Sequence, residues 1–325
     1  MKLIRLTAAA AALMVMLTGC TGKKSGNNGA APTESAGYAV PTELPYTEDP
    51  DIETTFRRST LYYASDEGYL VPVTKLVPWE EGIAKACLSY MTGTEVNSKA
   101  AGALGLKTVI PAGAELTITI KEGNALVDLS SMPPLPDAAS EINMIEAIVN
   151  TLVGFSTVTT VTVTRDGAGG TLENGTELPV RMSAYPLNPE KGALETIAGA
   201  VPATLYFPNM QGTLTVPVTR YLNRDPSVYS LVSALIEGTG SDGLRSCFPE
   251  NTLLLGAAIE GGTVTVNLSD DFKAVERTEG LFSLAVKTLW LTLAERFDFE
   301  RLAIQVNGVN YAPETADIPT DVNVF

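Results

Sequence analysis

The chain is written twice. Leu61-Tyr62-Tyr63 returns as Leu205-Tyr206-Phe207, Val71-Pro72-Val73-Thr74-Lys75 as Val216-Pro217-Val218-Thr219-Arg220, and Gly93-Thr94 as Gly238-Thr239. Further along, Val127-Asp128-Leu129-Ser130 returns as Val266-Asn267-Leu268-Ser269, Thr151-Leu152 as Thr288-Leu289, and Asp166-Gly167 as Asn307-Gly308. These six matches keep their order at offsets of 137 to 145 residues. Such an offset means tandem duplication of one domain-sized unit and excludes a solenoid, whose repeats are about 20–50 residues long. Hydrophobic residues at 45% and charged residues at 18% supply a core for both copies.

Each copy reads as the same sequence of elements. A strand opens it (Ser59–Ala64, Ala203–Phe207), and a turn at Gly68 or Gly212 leads to a second extended segment (Tyr69–Thr74, Thr213–Thr219). A helix follows. In the second copy Asp225 reads as its N-cap, Pro226 as its first residue and Gly238 as its stop, with Val228, Leu231, Val232, Leu235 and Ile236 on one stripe. In the first copy Pro78 starts the helix and Gly93 stops it, and a loop of variable composition comes next.

A hairpin is expected at Glu115–Lys121 with Ala125–Leu129, and again at Leu253–Ile259 with Thr263–Leu268, around Gly-rich turns. A second helix (Ala139–Val153, Glu279–Glu295) and a last strand (Val158–Thr164, Arg301–Val306) close the unit. The order strand, helix, β-hairpin, helix, strand predicts an α+β fold, two tandem copies of a two-layer unit with helices packed on one sheet face. Ala168–Arg181 is an addition to the first copy, and Leu194–Ile197 in the connector could form a short helical turn.

The N-terminus is an address. Lys2 and Arg5 precede an apolar run from Leu6 to Leu17, which ends in Thr18-Gly19-Cys20. Twelve apolar residues cannot cross a bilayer core about 30 Å thick, so the run reads as a signal peptide. Small residues before Cys20 resemble the bacterial lipobox, which implies cleavage before Cys20 and lipid on its sulfur. Residues 20–58, rich in Gly, Pro, Ser and Thr, then read as a tether with an r.m.s. span of about 35 Å. The division is signal 1–19, tether 20–58, first domain 59–185, connector 186–202 and second domain 203–325. The net charge of −15 becomes −17 once Lys2 and Arg5 are removed. A body that acidic stands off anionic lipid and does not bind nucleic acid.

The chemistry that is missing is informative. No histidine occurs anywhere in the chain, which excludes Ser-His-Asp and Cys-His nucleophiles and histidine metal sites. Cys87 lies on an apolar helical stripe and reads as core, whereas Cys247 reads as loop or edge. Asp270-Asp271 is the best carboxylate pair, but its counterpart is Ser131-Met132, so it reads as a solvated loop. Asp128 and Asn267 hold an Asx in both copies and are expected to end their strands through local side-chain to backbone bonds. Tyr62, Tyr63, Tyr206 and Phe207 are either strand packing or a partner surface.

The lipobox, the polar tether and two units carrying the Val-Pro-Val-Thr start, the Val-Asp/Asn-Leu-Ser step and the late Thr-Leu helix resemble the GerM domain family. The resemblance covers about Ser59 to Phe325 and makes Asp128, Asn267, Thr151 and Thr288 the signature positions. It implies a Gram-positive lipoprotein of sporulation, germination or cell-envelope assembly, with an interaction module like the ring-building folds. It implies no catalytic residue and no cofactor. The expected partners are extracytoplasmic envelope or sporulation proteins, met at the outer face of the cytoplasmic membrane. The other reading is an envelope-ligand binder or peptidoglycan-acting hydrolase with a site between the two domains.

Overall fold

The computed structural model describes residues 56–79, 82–190, 198–222, 226–312 and 321–325. The signal, Cys20, nearly all of the tether, the turn at 194–197 and Asp225 lie outside the described residues.

The first repeat begins with an antiparallel ribbon, β1 (Phe56–Ala64) and β2 (Leu70–Pro78). Two helices follow, α1 (Ile83–Tyr90) and α2 (Glu95–Ala103). Then come the hairpin β3 (Glu115–Lys121) and β4 (Asn124–Ser130), helix α3 (Ala138–Val153) and β5 (Thr160–Arg165). β4 is central in a sheet of order β3-β4-β5, antiparallel to β3 and parallel to β5. The second repeat repeats this plan: ribbon β6 (Val201–Pro208) and β7 (Thr215–Leu222), α4 (Val228–Glu237), hairpin β8 (Leu254–Glu260) and β9 (Thr263–Leu268). A 3₁₀ helix (Asp270–Arg277), α5 (Leu281–Ala294), β10 (Arg301–Val306) and a short β11 (Val309–Asn310) complete it.

The duplicated motifs fold onto equivalent places. Tyr62 pairs with Pro72 and Tyr63 with Val71 in one ribbon, and Tyr206 with Pro217 and Phe207 with Val216 in the other. Leu61 and Leu205, Val73 and Val218, Val127 and Val266, Leu129 and Leu268, and Leu152 and Leu289 are all completely buried. To the helix-on-sheet arrangement the ribbon adds a further surface. α3 packs on β1 as well as on β5, and all of its residues from Ala147 to Leu152 are buried. The hairpin turns follow from local chemistry. Glu122-Gly123 and Gly261-Gly262 all have positive φ, the two-residue turn whose twist matches the strands it joins. A Cβ on Gly123 would sit 2.8 Å from Thr159 Oγ1.

Four expectations are corrected. Pro78 ends β2 opposite Phe56, because a proline at a ribbon's end has no ladder bond to lose, and the helix starts only at Ile83. The loop expected after it contains α2, capped by Thr94 Oγ1 accepting from the Asn97 amide at 3.2 Å. The cap of α4 is Ser227, in a reciprocal box with Ser230, one residue beyond Pro226. Cys247 is core, 3% exposed, beside Thr288 of α5, where burial pushes its thiol up to about 11. Cys87 is buried as expected, and both thiols are free.

Candidate functional site: the junction between the repeats

A proline inside a ribbon must sit where its nitrogen faces away from the partner strand. Pro72 and Pro217 do so, which turns the backbone of Leu70, Pro72 and Thr74, and of Thr215, Pro217 and Thr219, outward. These outward groups are where the repeats join. Asn188, just past the first repeat, accepts the Leu70 amide at Oδ1 (2.8 Å) and donates through Nδ2 to Leu70 O (2.8 Å) and to Pro217 O (2.7 Å). Asn323, beyond the last strand of the second, accepts the Thr215 amide (2.8 Å) and donates to Thr215 O (2.8 Å) and Pro72 O (2.9 Å). The two clamps are reciprocal, as a local dyad requires.

The segments around the asparagines act as short added strands. The Thr219 amide donates to Leu187 O and the Glu190 amide to Thr219 O, both at 2.9 Å. In mirror fashion, the Thr74 amide donates to Asn323 O (2.7 Å) and the Phe325 amide to Thr74 O (3.1 Å). Each repeat's trailing segment therefore completes the other's ribbon. Chemistry has diverged on this shared geometry. Arg220 grips Glu190 at 2.6 and 3.0 Å and donates to the carbonyls of Ala234 and Gly238 at the end of α4. Its counterpart Lys75 instead lies 4.5 Å from the ring centre of Phe325 and 4.8 Å from that of Tyr90.

Of the opening-strand aromatics, Tyr62 and Tyr206 belong to this junction. The Tyr206 hydroxyl donates to Glu295 Oε1 at 2.5 Å, and burial with that carboxylate close by holds its ionisation well above the ordinary range. Burial, then Glu295, pushes Tyr62 up to about 12. The amide of Tyr62 donates to Met91 Sδ (3.4 Å) and that of Tyr206 to Thr292 Oγ1 (3.0 Å), so both outward amides are satisfied. Tyr63 and Phe207 face the core.

A cleft of about 370 Å³ opens at the junction, lined by Ser65, Asp66, Glu67 and Tyr69 from one repeat and by Asn209 and Thr213 from the other. The Tyr69 hydroxyl closes one side by donating to Asp242 O at 2.7 Å. Asp66 is paired with Lys107 at 2.8 Å. Asp270 and Asp271 are elsewhere, in the first turn of the 3₁₀ helix beside a groove within the second repeat. Asp270 meets Lys273 at 2.7 Å, and Asp271 accepts from Ser269 Oγ at 3.3 Å. Among the described residues no cluster of three or more Cys, Asp or Glu side chains is arranged to hold a metal.

The signature positions fall into separate places. Asp128 Oδ1 accepts the Gly167 amide (2.8 Å) and the Thr164 hydroxyl (2.6 Å), and Asn267 Oδ1 accepts the Gly308 amide (2.8 Å). The two glycine bonds are side-chain to backbone bonds, but they reach across to the turn after the neighbouring strand and are not local. Thr151 is buried against Met91 Sδ (3.4 Å), and Thr288 donates to Ala285 O (3.1 Å). The four residues do not converge on one site. Asn188 and Asn323 escaped the sequence reading. Their only signal is a Leu-Asn and a Val-Asn, 135 residues apart, 21 and 15 residues past each unit's last matched motif.

Fold and junction together define a tandem α+β protein whose two like domains are locked by exchanged segments. Residues 60–170 and 204–312 match the Germane family, described as sporulation and spore germination, and the chain belongs to that family. It is 25% identical over 293 residues to the spore germination protein GerM of Bacillus subtilis (strain 168), a match covering 86% of this chain and 80% of that protein. The solved structure of the tandem GerMN domains of the sporulation protein GerM from Bacillus subtilis has the same fold. Its TM-score is 0.65 at 24% identity, over 83% of this chain and 99% of that one. The first GerMN domain alone, 27% identical, gives a TM-score of 0.36 over 39% of this chain and 97% of its own.

Proposed function

We propose that the chain is a lipid-anchored extracytoplasmic protein that acts as a non-enzymatic interaction module in sporulation, germination or cell-envelope assembly. The carrying observation is the arrangement of sheet edges. Within the described residues β5 is covered by bonds between Val161 and Met182, and β10 by β11, while β3 and β8 have no further strand alongside. An edge with no strand beside it offers backbone donors and acceptors to an added strand from a partner, and at β8 the neighbouring element is α4. Ile120 on β3 and Ile259 on β8 are 43% and 36% exposed there.

The anchor reading is supported by the order of basic, apolar and Gly-Cys segments before residue 21. No helix among the described residues is long and apolar enough to cross a membrane. A photo-crosslinking side chain at Ile120 or Ile259 in cells should trap an envelope protein, and Cys20→Ala should release the chain from membranes. Absence of adducts from both edges would refute the module.

The junction cleft supports a second reading, an envelope-ligand site, because acids and a tyrosine from one repeat face amide and hydroxyl side chains from the other. Binding of muropeptides lost on Glu67→Gln would favour it. Asp270 and Asp271 lie outside that cleft, so they lend no support to a hydrolase working there.

A further inference from the structure

The outer end of the first ribbon carries partly exposed apolar side chains. Phe56, Leu76, Trp79 and Val324 are 37%, 49%, 59% and 58% exposed. Phe56, Leu76 and Val324 lie on one face of the ladder, and Trp79 stands just beyond its end. Phe56 pairs with Pro78 and Arg58 with Leu76, and Val324 bridges to Thr74, two residues before Leu76 on the same face. Trp79 follows Pro78 on the side of Arg57, whose guanidinium lies 5.7 Å from its ring centre and 4.5 Å from that of the buried Phe155. Scattered exposed apolar residues are ordinary, but three on one face with a tryptophan at the same end of the ribbon mark a contact surface. The second repeat has Tyr221 and Pro189 where the first has Leu76 and Val324. The patch therefore belongs to one copy and is not a by-product of the fold.

The chain enters the folded body at this same end. β1 starts at Phe56, and Cys20 lies 36 residues before it. Even fully extended, that stretch reaches no more than about 130 Å. A surface held that close to a bilayer meets it at high effective concentration, so a small apolar area suffices for contact. Resting on the reading of Cys20 as the lipid attachment, we propose that Phe56, Leu76, Trp79 and Val324 dock the first repeat on the lipid surface of the membrane that holds the anchor. Tryptophan suits the headgroup level, where its ring is buried and its N–H stays wet. Arg58 is ion-paired with Asp321, and the Arg57 guanidinium lies over the rings of Trp79 and Phe155, so neither charge is left unpartnered beside the patch.

The test uses the chain from Thr21 onward, with a His-tag in place of Cys20, on phosphatidylcholine/phosphatidylglycerol vesicles containing a nickel-chelating lipid. The chain has two tryptophans, and Trp290 is 8% exposed, so Trp79 is the responsive fluorophore. Its emission should shift to the blue and be quenched by brominated phospholipid, and Trp79→Phe should remove the quenched component. Leu76→Asp should weaken the contact roughly tenfold, and Trp290 emission and circular dichroism check its fold. Trp79 emission unaltered by tethering or by bromine would overturn the proposal. Mass spectrometry of the N-terminal peptide from cell membranes tests Cys20 separately. An acylated Cys20 with unquenched Trp79 sinks the patch alone, and quenched Trp79 with an unmodified Cys20 sinks the anchor alone.

Discussion

Asp128 Oδ1 holds the backbone amide of Gly167 at 2.8 Å, and 139 residues later Asn267 holds Gly308 in the same way at the same distance. In both copies the bond ties the central strand to the turn that ends the neighbouring parallel strand. That turn has positive φ at both residues, Asp166-Gly167 and Asn307-Gly308, so its amide cannot be served by the ladder. An acceptor oxygen is what the position requires, and charge is incidental. Asp128→Asn and Asn267→Asp should therefore each change unfolding free energy by less than about 0.5 kcal/mol, while either residue changed to Ala should cost about 1–2 kcal/mol. Urea denaturation measures both. Loss of stability in Asp128→Asn equal to that in Asp128→Ala would show that the carboxylate, not the acceptor, matters.

The asparagine clamps make a stronger demand. Asn323 is 7% exposed and satisfies three backbone groups from two repeats. Asn323→Ala leaves all three without their partner at a buried junction and should cost about 2–4 kcal/mol. Asn323→Asp should cost at least as much, because a carboxylate faces two carbonyls it cannot donate to. Hydrogen exchange locates the effect. The Thr215 amide should lose protection in Asn323→Ala and the Leu70 amide in Asn188→Ala, since each bonds to that side-chain oxygen. Unchanged exchange at both amides would contradict the clamp.

What was legible in the sequence follows from how local each cause is. The hairpins were readable because alternation and a two-residue turn act over a few residues, and the duplication supplied a second copy of each. Pro78 was not, since a proline suits a strand's outer end as well as a helix's first turn, and only its pairing with Phe56 decides. α2 was missed because it is mostly exposed and bears no apolar stripe; Val96 is 77% exposed. Cys247 looked like a loop residue, and its loop folds back onto α5, a contact no window of sequence contains. Asn188 and Asn323 are hidden for the same reason, as their partners are backbone groups up to 251 residues away.

Glu146 carries a pH prediction. It projects from α3, and burial alone pushes its carboxyl up to about 7 from an ordinary 4.5. The folded state therefore binds this proton more tightly than the unfolded state does. Stability is fully present below about pH 4.5 and is lost as pH rises through about 7. With solvent reaching part of the group, the loss should be about 1–2 kcal/mol. Glu146→Gln should flatten stability between those pH values and raise it at pH 8, read from urea midpoints across the range. A stability profile with the same slope in both proteins would reject the assignment.

The diverged cation at the junction gives the last test. Arg220 uses its planar fork on Glu190 and reaches two carbonyls at the end of α4, with both ion-pair side chains only 17% exposed. Hydrogen bonds from Arg220 and Thr239 hold the Glu190 carboxyl below its ordinary ionisation range against the opposing effect of burial. A lysine has one compact ammonium and cannot make these contacts together. Arg220→Lys should therefore cost about 2–3 kcal/mol and Glu190→Gln about 2 kcal/mol. The double change should cost less than the sum, because each single change already breaks the pair. At the matching position Lys75 meets aromatic rings, so Lys75→Arg should be tolerated within about 0.5 kcal/mol. Equal losses in Arg220→Lys and Lys75→Arg would show that the two repeats use their cations alike, against the geometry at Glu190 and Phe325.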